Sequence, residues 1–297
     1  MYGEITDIQR FSLNDGDGIR TTVFFKGCNM ACIWCHNPET ISHKKNLMFY
    51  PEKCIGCGRC FDVCPVGVHS LKDGVHNIDY KSCTACGKCT EACYAEALRF
   101  SSRTVSLSDI EREIVQDIPY YNLSGGGVTV SGGEVFCQSE FCEGIVDLCK
   151  KHGIKVAVET NMHHPFDKIE GILKKLDFVM LDIKLMDGEA HRKYTGVDNS
   201  LILENIKKLD KLGIPMIIRT PLIPGITDGL DNLTAIADFI KELKNVRRYE
   251  LLNFNMLGGA KYEAMGLDNQ LKDARPLNEE SLDKIREALS GINLKIS

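Results

Sequence analysis

Three cysteines, Cys28, Cys32 and Cys35, follow the apolar run Thr22–Phe25 at spacings of four and three residues. Thiolates this close on one loop suit three corners of a cubane iron–sulfur cluster, and the motif supplies no fourth. A metal with one open coordination position can bind and activate a substrate, whereas a closed one only stores or passes electrons. The spacing therefore predicts a reactive cluster with one iron free for a ligand. The competing reading is a three-cysteine zinc site that takes its fourth ligand from elsewhere.

Eight further cysteines fall in two runs, Cys54-x2-Cys57-x2-Cys60-x3-Cys64-Pro65 and Cys83-x2-Cys86-x2-Cys89-x3-Cys93. Each run resembles that of a bacterial ferredoxin, in which the fourth cysteine ligates the other cluster. The resemblance implies one 4Fe-4S cluster on Cys54, Cys57, Cys60 and Cys93 and another on Cys83, Cys86, Cys89 and Cys64. Tyr94 stands where proline is usual, but proline donates no ligand. The alternative is a pair of zinc knuckles. Two clusters with all positions filled would pass electrons and could feed the reactive one.

The remaining cysteines, Cys137, Cys142 and Cys149, lack ligand-like spacing and read as small buried apolar residues on a helix. With 36 basic against 41 acidic residues the net charge is −5, so no basic field invites nucleic acid or an anionic membrane. No apolar run approaches the length of a membrane span. The first residues carry neither region of a secretion signal. A cytoplasmic location is expected, where thiols stay reduced and ligation explains the cysteines better than disulfides.

These ligands need elements to hold them. Residues 20–26, 127–131, 154–159, 178–183, 215–219 and 249–254 read as strands, and residues 1–9 as a short edge strand. Residues 106–118, 136–152, 166–176, 200–212, 229–244 and 277–290 read as helices. Such alternation implies a parallel sheet, and six units fall short of an eight-fold barrel. The expected fold is α/β, a partial (β/α)6 barrel of residues 1–49 and 101–297 with a ferredoxin-like insert at 50–100. Catalytic groups collect at the C-terminal ends of such strands. There the sequence offers the three cysteines, Ser131-Gly132-Gly133-Glu134, Glu159-Thr160-Asn161, Asp182-Ile183-Lys184, Arg219 and Asn253-Phe254-Asn255. Glu134 could hold an ammonium group, and Lys184 and Arg219 a carboxylate, which together describe an α-amino acid moiety. The bland alternative is helix capping and surface salt bridges. Gly125-Gly126-Gly127 reads as a flexible turn, and His163 and His164 as solvated.

The chain resembles the radical S-adenosylmethionine (SAM) superfamily in its Cys-x3-Cys-x2-Cys signature with Trp34 before the last cysteine. More narrowly, it resembles the activating enzymes of glycyl radical enzymes. The matching stretches are Asp15-Gly-Asp-Gly-Ile-Arg20, Trp34-Cys-His-Asn-Pro-Glu39, Gly126-Gly-Val-Thr-Val-Ser-Gly-Gly-Glu134, Val179-Met-Leu-Asp-Ile-Lys184 and Pro221-Leu-Ile-Pro-Gly225. The resemblance implies an oxidoreductase with three 4Fe-4S clusters. It would cleave SAM reductively to methionine and a 5′-deoxyadenosyl radical, which takes a hydrogen atom from a glycine of a partner glycyl radical enzyme. Trp34 and His36 would line the adenine side. Gly132, Gly133 and Glu134 would hold the methionyl amino end, and Asp182, Ile183 and Lys184 the ribose and carboxylate side. Thr160, Met180 and Asp182 match positions where some relatives bind a monovalent cation.

Asp17 replaces a usual proline, Val135 follows the Gly-Gly-Glu motif where proline or alanine is common, and Asn255 stands where relatives carry a cofactor-contacting histidine. A monomer that meets its partner transiently is expected, with a low-potential donor such as flavodoxin or ferredoxin. The rivals are a radical SAM maturase of another protein or peptide and a soluble ferredoxin-type electron carrier.

Overall fold

A computed structural model describes residues 1–296. Nine strands form its main sheet: β1 Tyr2–Ser12, β2 Arg20–Phe25, β3 Arg103–Ser106, β4 Gly127–Gly132, β5 Lys155–Thr160, β6 Phe178–Asp182, β7 Met216–Leu222, β8 Val246–Asn253 and β9 Leu294–Ile296. Their order is β9-β8-β7-β6-β5-β4-β2-β1-β3. Neighbours from β2 to β9 run parallel, and helices connect β4 through β9. The six expected strands are thus joined by a parallel β9 that the sequence reading missed. β1 is longer than expected and is not an edge, because antiparallel β3 covers its outer side. The expected helix at 106–118 is two helices, Leu107–Val115 and Ile118–Ser124. The first opens on a Ser106–Asp109 capping box, and the second carries Pro119 in its first turn, where a missing N–H costs nothing.

Strand parity divides the side chains. Val128, Val130, Val156, Val158, Val179, Leu181, Met216 and Ile218 face the helices and form the main core. The opposite face begins apolar, with Ala157, Phe178, Met180 and Ile217 packed together. It then turns polar, carrying Ser131, Glu159, Asp182, Arg219 and Glu250. A sheet face that buries charge invites a polar occupant rather than a closed core.

Between the two parts of this sheet the chain makes a smaller unit. Leu47–Phe49 pairs antiparallel with Leu98–Phe100, so the chain leaves and returns at one place. Between them lie helices Arg59–Val63 and Lys88–Glu91 and the hairpin His69–Lys72/Val75–Ile78. Tyr80 donates from its hydroxyl to the Ala264 carbonyl at 2.8 Å, and Met48 packs on Ala264 and Met265.

Gly126 and Gly127 are no loose turn. A Cβ on Gly126 would stand 1.9 Å from the Ile19 carbonyl oxygen, and one on Gly127 2.0 Å from that of Lys155. Gly127→Ala is therefore expected to destabilise the protein by about 2–3 kcal/mol or more, since the obstacle is backbone. Gly171→Ala, in the helix Phe166–Leu173 with nothing within 4 Å of the new Cβ, is expected to stabilise by about 0.5–1 kcal/mol. Denaturant melts of the two variants against wild type check the pair.

Candidate functional site

The loop bearing Cys28, Cys32 and Cys35 leaves β2 at the C-terminal edge of the sheet and is tied down by backbone on both sides. Gly27 N–H donates to the Thr40 carbonyl at 2.8 Å, Ala31 to Thr195 at 2.8 Å and Ile33 to Tyr194 at 3.1 Å. The end of β4 adds Gly133 N–H to the Phe25 carbonyl at 2.9 Å and Glu134 N–H to that of Gly27 at 2.8 Å. Asn29 supplies a side-chain anchor: its amide donates to the His163 carbonyl at 2.6 Å, lies 3.2 Å from His164 Nε2, and accepts from Asn161 at 2.8 Å. His163 and His164, expected to be solvated, thus help seat the loop. Their sequence neighbourhood gives no sign of it, because the contact spans more than 130 residues. Tyr262 donates from its hydroxyl to the Cys35 carbonyl at 3.0 Å. Burial pushes the thiols of Cys28 and Cys35 up to about 12, and that of Cys32 upward as well.

All three thiols open on a cavity of about 640 Å³. Its lining brings together Trp34, His36, Gly132, Gly133, Asp182, Lys184, Arg219 and Asn255. Trp34 is buried against Ile223 and Phe254. Burial lowers the affinity of His36 for a proton, keeping the ring neutral. Asn255 lines the wall while its carbonyl oxygen accepts from Leu257 N–H at 3.1 Å. Lys184 is buried and paired with Asp182. Burial works against its ammonium, but the charge and hydrogen bond of Asp182 together with the Cys32 and Cys28 sulfurs outweigh that and hold the proton.

Four expected site residues sit differently. Glu134 does not line the cavity: its carboxylate is fully buried behind the wall, accepting from Phe136 N–H at 3.1 Å, the Thr160 hydroxyl at 2.8 Å and Asn161 N–H at 2.7 Å. It braces the β4 and β5 strand ends, and an amino group in the cavity would meet the backbone of Gly132-Gly133. Ile183 points into the outer core, with its N–H donating to the Arg219 carbonyl at 2.9 Å. Arg219 lies within β7, which runs on to Leu222, not at its end. Its guanidinium is held by Glu250 at 2.8 Å, Glu159 at 3.0 Å and the Asn14 carbonyl at 2.8 Å, so a bidentate grip on a ligand carboxylate would break this network. Met180, expected near a cation, lies among Ala157, Phe178 and Ile217. The Thr160 hydroxyl donates to Glu134, and Oδ2 of Asp182 is engaged by Lys184.

The smaller unit holds two thiol-lined hollows. One, of about 300 Å³, is walled by Cys54, Cys57, Cys60 and Cys93; the other, of about 10 Å³, by Cys64, Cys83, Cys86 and Cys89. Cys142 and Cys149 are buried in the main core, and Cys137 is half-buried. No helix among the described residues is long and apolar enough to cross a membrane.

A parallel α/β sheet with a three-thiol loop over a polar cavity is the architecture of a radical SAM enzyme, and the family model of the Radical SAM superfamily matches residues 22–240. The fold extends to distant members: a radical SAM methyltransferase from Sphaerobacter thermophilus aligns over 99% of this chain and 76% of its own, with a TM-score of 0.57 at 11% identity. Nearer relatives narrow the class. The (2S)-3-sulfopropanediol dehydratase activating enzyme of Klebsiella oxytoca is 38% identical, covering 95% of this chain and 91% of that protein. The trans-4-hydroxy-L-proline dehydratase activating enzyme of Clostridioides difficile is 36% identical over 98% of each. The chain belongs to the radical SAM superfamily and, within it, to the activating enzymes of glycyl radical enzymes.

Glu134 offers a direct check. Burial pushes its carboxyl up to about 7 against the three hydrogen bonds that favour the charge. A carboxyl raised in the folded state contributes stability that is complete below about 4.5, its ordinary value, and lost as pH climbs through about 7. Between pH 6 and 8 the melting temperature of the metal-free protein is expected to fall more steeply in wild type than in Glu134→Gln. Glu134→Ala, which orphans two buried N–H groups, is expected to cost about 2–4 kcal/mol at pH 6 in a denaturant melt.

Proposed function

We propose that this enzyme installs a radical on a glycine of a partner glycyl radical enzyme, using a 4Fe-4S cluster on Cys28, Cys32 and Cys35, SAM in the cavity, and two further 4Fe-4S clusters in the smaller unit. The observation that carries the reading is the common cavity: three soft thiols, the Asp182–Lys184 pair and the exposed backbone of Gly132-Gly133 face one space of about 640 Å³. The donor set suits an iron–sulfur cluster with one iron left for an amino acid chelate. When bound, the cluster and SAM supply one-electron cleavage of the sulfonium, giving methionine and a 5′-deoxyadenosyl radical that takes the glycine hydrogen.

The chain's own residues do the rest. Lys184, kept protonated by Asp182, offers its ammonium to the methionyl carboxylate, while Asp182 remains near a ribose. The Gly132-Gly133 backbone borders the space for the amino end, and it packs so tightly on Phe25 and Gly27 that a Cβ on Gly132 would stand 2.3 Å from Phe25 N and one on Gly133 2.2 Å from the Gly27 carbonyl oxygen. Trp34, His36 and Asn255 form the wall suited to adenine, with the His36 ring neutral by burial. The cavity reaches from Phe24 on β2 to Leu252 on β8, which supports a sheet curled into a partial barrel, its open side left for a polypeptide.

Residues 50–100 act as a ferredoxin-like insert. Two sets of four thiols around two hollows fit two closed clusters, each set drawing its fourth cysteine from the other run. Closed clusters carry electrons inward from a low-potential protein such as flavodoxin or ferredoxin. The enzyme itself works as a cytoplasmic monomer that meets its partner transiently. A role as a mere electron carrier would leave the cavity without a use.

Anaerobic reconstitution tests the reading. Wild type is expected to bind about twelve irons, at four per cluster, and to form 5′-deoxyadenosine from SAM under strong reductant. Cys32→Ala is expected to lose about four irons and at least 100-fold in cleavage; unchanged cleavage removes the central assignment. Cys57→Ala is expected to bind SAM normally but to turn over at least ten-fold more slowly with a protein reductant, and wild-type rates there rule out the wire.

A further inference from the structure

The hairpin of the smaller unit carries two histidines that none of the preceding roles uses. His69, paired with Ile78, and His76, paired with Leu71, are diagonal neighbours across the hairpin near the thiol hollow of Cys54, Cys57, Cys60 and Cys93, which His76 also lines. His76 Nε2 lies 2.9 Å from His69 Nδ1 and 3.9 Å from Cys60 Sγ. The His76 ring sits between Phe49, at 4.5 Å between centroids, and Phe61, at 5.0 Å. His69 is buried, and its other ring nitrogen, Nε2, has no partner.

Two proton placements satisfy the His69–His76 contact, and they differ at the sulfur. If His69 held its proton on Nδ1, His76 would turn a lone pair toward Cys60, which repels a thiolate. If His76 holds its proton on Nε2, that N–H is shared between His69 Nδ1 and Cys60 Sγ, and the sulfur's negative charge favours it. His69 then carries its proton on Nε2, the buried nitrogen left without a partner. The other hydrogen bonds to these thiols come from backbone: Val68 N–H to Cys64 and Ala85 N–H to Cys83, each at 3.5 Å. Among the described residues, His76 is the side chain within hydrogen-bonding reach of the insert's cysteine sulfurs, at Cys60.

We propose that His76 is a positioning residue for electron transfer: held by His69 and the two phenylalanines, it donates a hydrogen bond to the Cys60 thiolate and raises the potential of the cluster on Cys54, Cys57, Cys60 and Cys93. This rests on the reading that those four thiols hold a cluster. Reduction adds one electron and hence negative charge to the cluster. A donor aimed at a ligating sulfur stabilises that charge, and hydrogen bonds to sulfur are among the features that set such potentials. The three donor atoms Cys60, His69 and His76 lie within 4.8 Å of one another and could also surround a separate ion. The ferredoxin spacing already engages Cys60, which favours the hydrogen bond.

The test uses the reconstituted enzyme under anaerobic conditions. In wild type, pulsed electron paramagnetic resonance of the reduced insert clusters in D2O is expected to show, besides the backbone amide deuterons near Cys64 and Cys83, an exchangeable imidazole deuteron coupled to the cluster on Cys54, Cys57, Cys60 and Cys93. In His76→Phe, which keeps the aromatic packing, that coupling is expected to vanish. The potential of the same cluster is expected to fall, the other two potentials to stay, and the iron content to remain at about twelve. His69→Phe, which leaves the donor but loosens it, is expected to shift the same potential down by less. Unchanged potentials and coupling in His76→Phe with all iron present overturn the proposal, as does stoichiometric zinc in wild type that His76→Phe releases. Absence of the imidazole deuteron coupling from wild type overturns it without any variant. Wild type that binds only about four irons refutes the cluster reading itself, a failure distinct from these.

Discussion

The site depends on backbone tethers that hold the cysteine loop from outside. Burial raises the three thiols, so without metal they are neutral and exert little pull on one another. Ligation must expel their protons, and the free energy of binding is correspondingly sensitive to whether the loop is already in place. Gly27, Ala31 and Ile33 make that arrangement through bonds to Thr40, Thr195 and Tyr194 that involve no thiol. The same logic accounts for Glu134. A carboxylate that gathers Phe136 N–H, Asn161 N–H and the Thr160 hydroxyl fixes two strand ends at once, and its own N–H reaches Gly27 at the root of the loop. The Gly-Gly-Glu motif is therefore a joint between β4, β5 and the cluster loop as much as a ligand surface.

Below the loop the inner face of the sheet carries a second constraint. Arg219 lies between Glu159 and Glu250, Glu159 accepts from the Ser131 hydroxyl at 2.6 Å, and Glu250 is shared with Arg248 at 2.7 Å. Arg248 in turn holds Asp17 at 2.8 Å, which gives the residue standing in place of the family's proline a structural partner. Breaking a buried set of this kind leaves uncompensated charge, at a cost of about 3–5 kcal/mol. The network spans β4, β5, β7, β8 and the Asp17 loop, so it fixes the shape of the cavity floor. It also engages Arg219 fully, as Asp182 engages Lys184, the other buried cation on the cavity wall.

The readable parts of the chain were those whose chemistry is local. Cysteine spacings, apolar strand runs and the small residues of Gly132-Gly133 announce themselves within a few positions. Side-chain direction at the strand ends does not, because Glu134 and Asp182 both stand at such ends and only one reaches the cavity. Arg219 reads as a strand end in the sequence, yet the strand runs through Pro221 to Leu222. Gly126 and Gly127 looked like slack because the backbones that crowd them, at Ile19 and Lys155, are remote in sequence. His163 and His164 were passed over for the same reason. Long-range contact, not local pattern, decides each of these.

The position of the insert follows from one short element. In the helix Gly259–Ala264, Tyr262 holds the Cys35 carbonyl and Ala264 receives the Tyr80 hydroxyl. One residue before Tyr262, Lys261 grips Asn37 and Glu39, each at 2.6 Å, on the segment that leads from the cysteine loop into the smaller unit. A rigid turn therefore touches the loop over the cavity, the connecting segment and the insert within four residues. A flexible connection would by itself allow wide excursions. Clamping both ends to one helix removes that freedom. This gives the segment after β8 a task beyond lining the cavity, and explains why the smaller unit can hang from a single pair of short strands without drifting from the cavity.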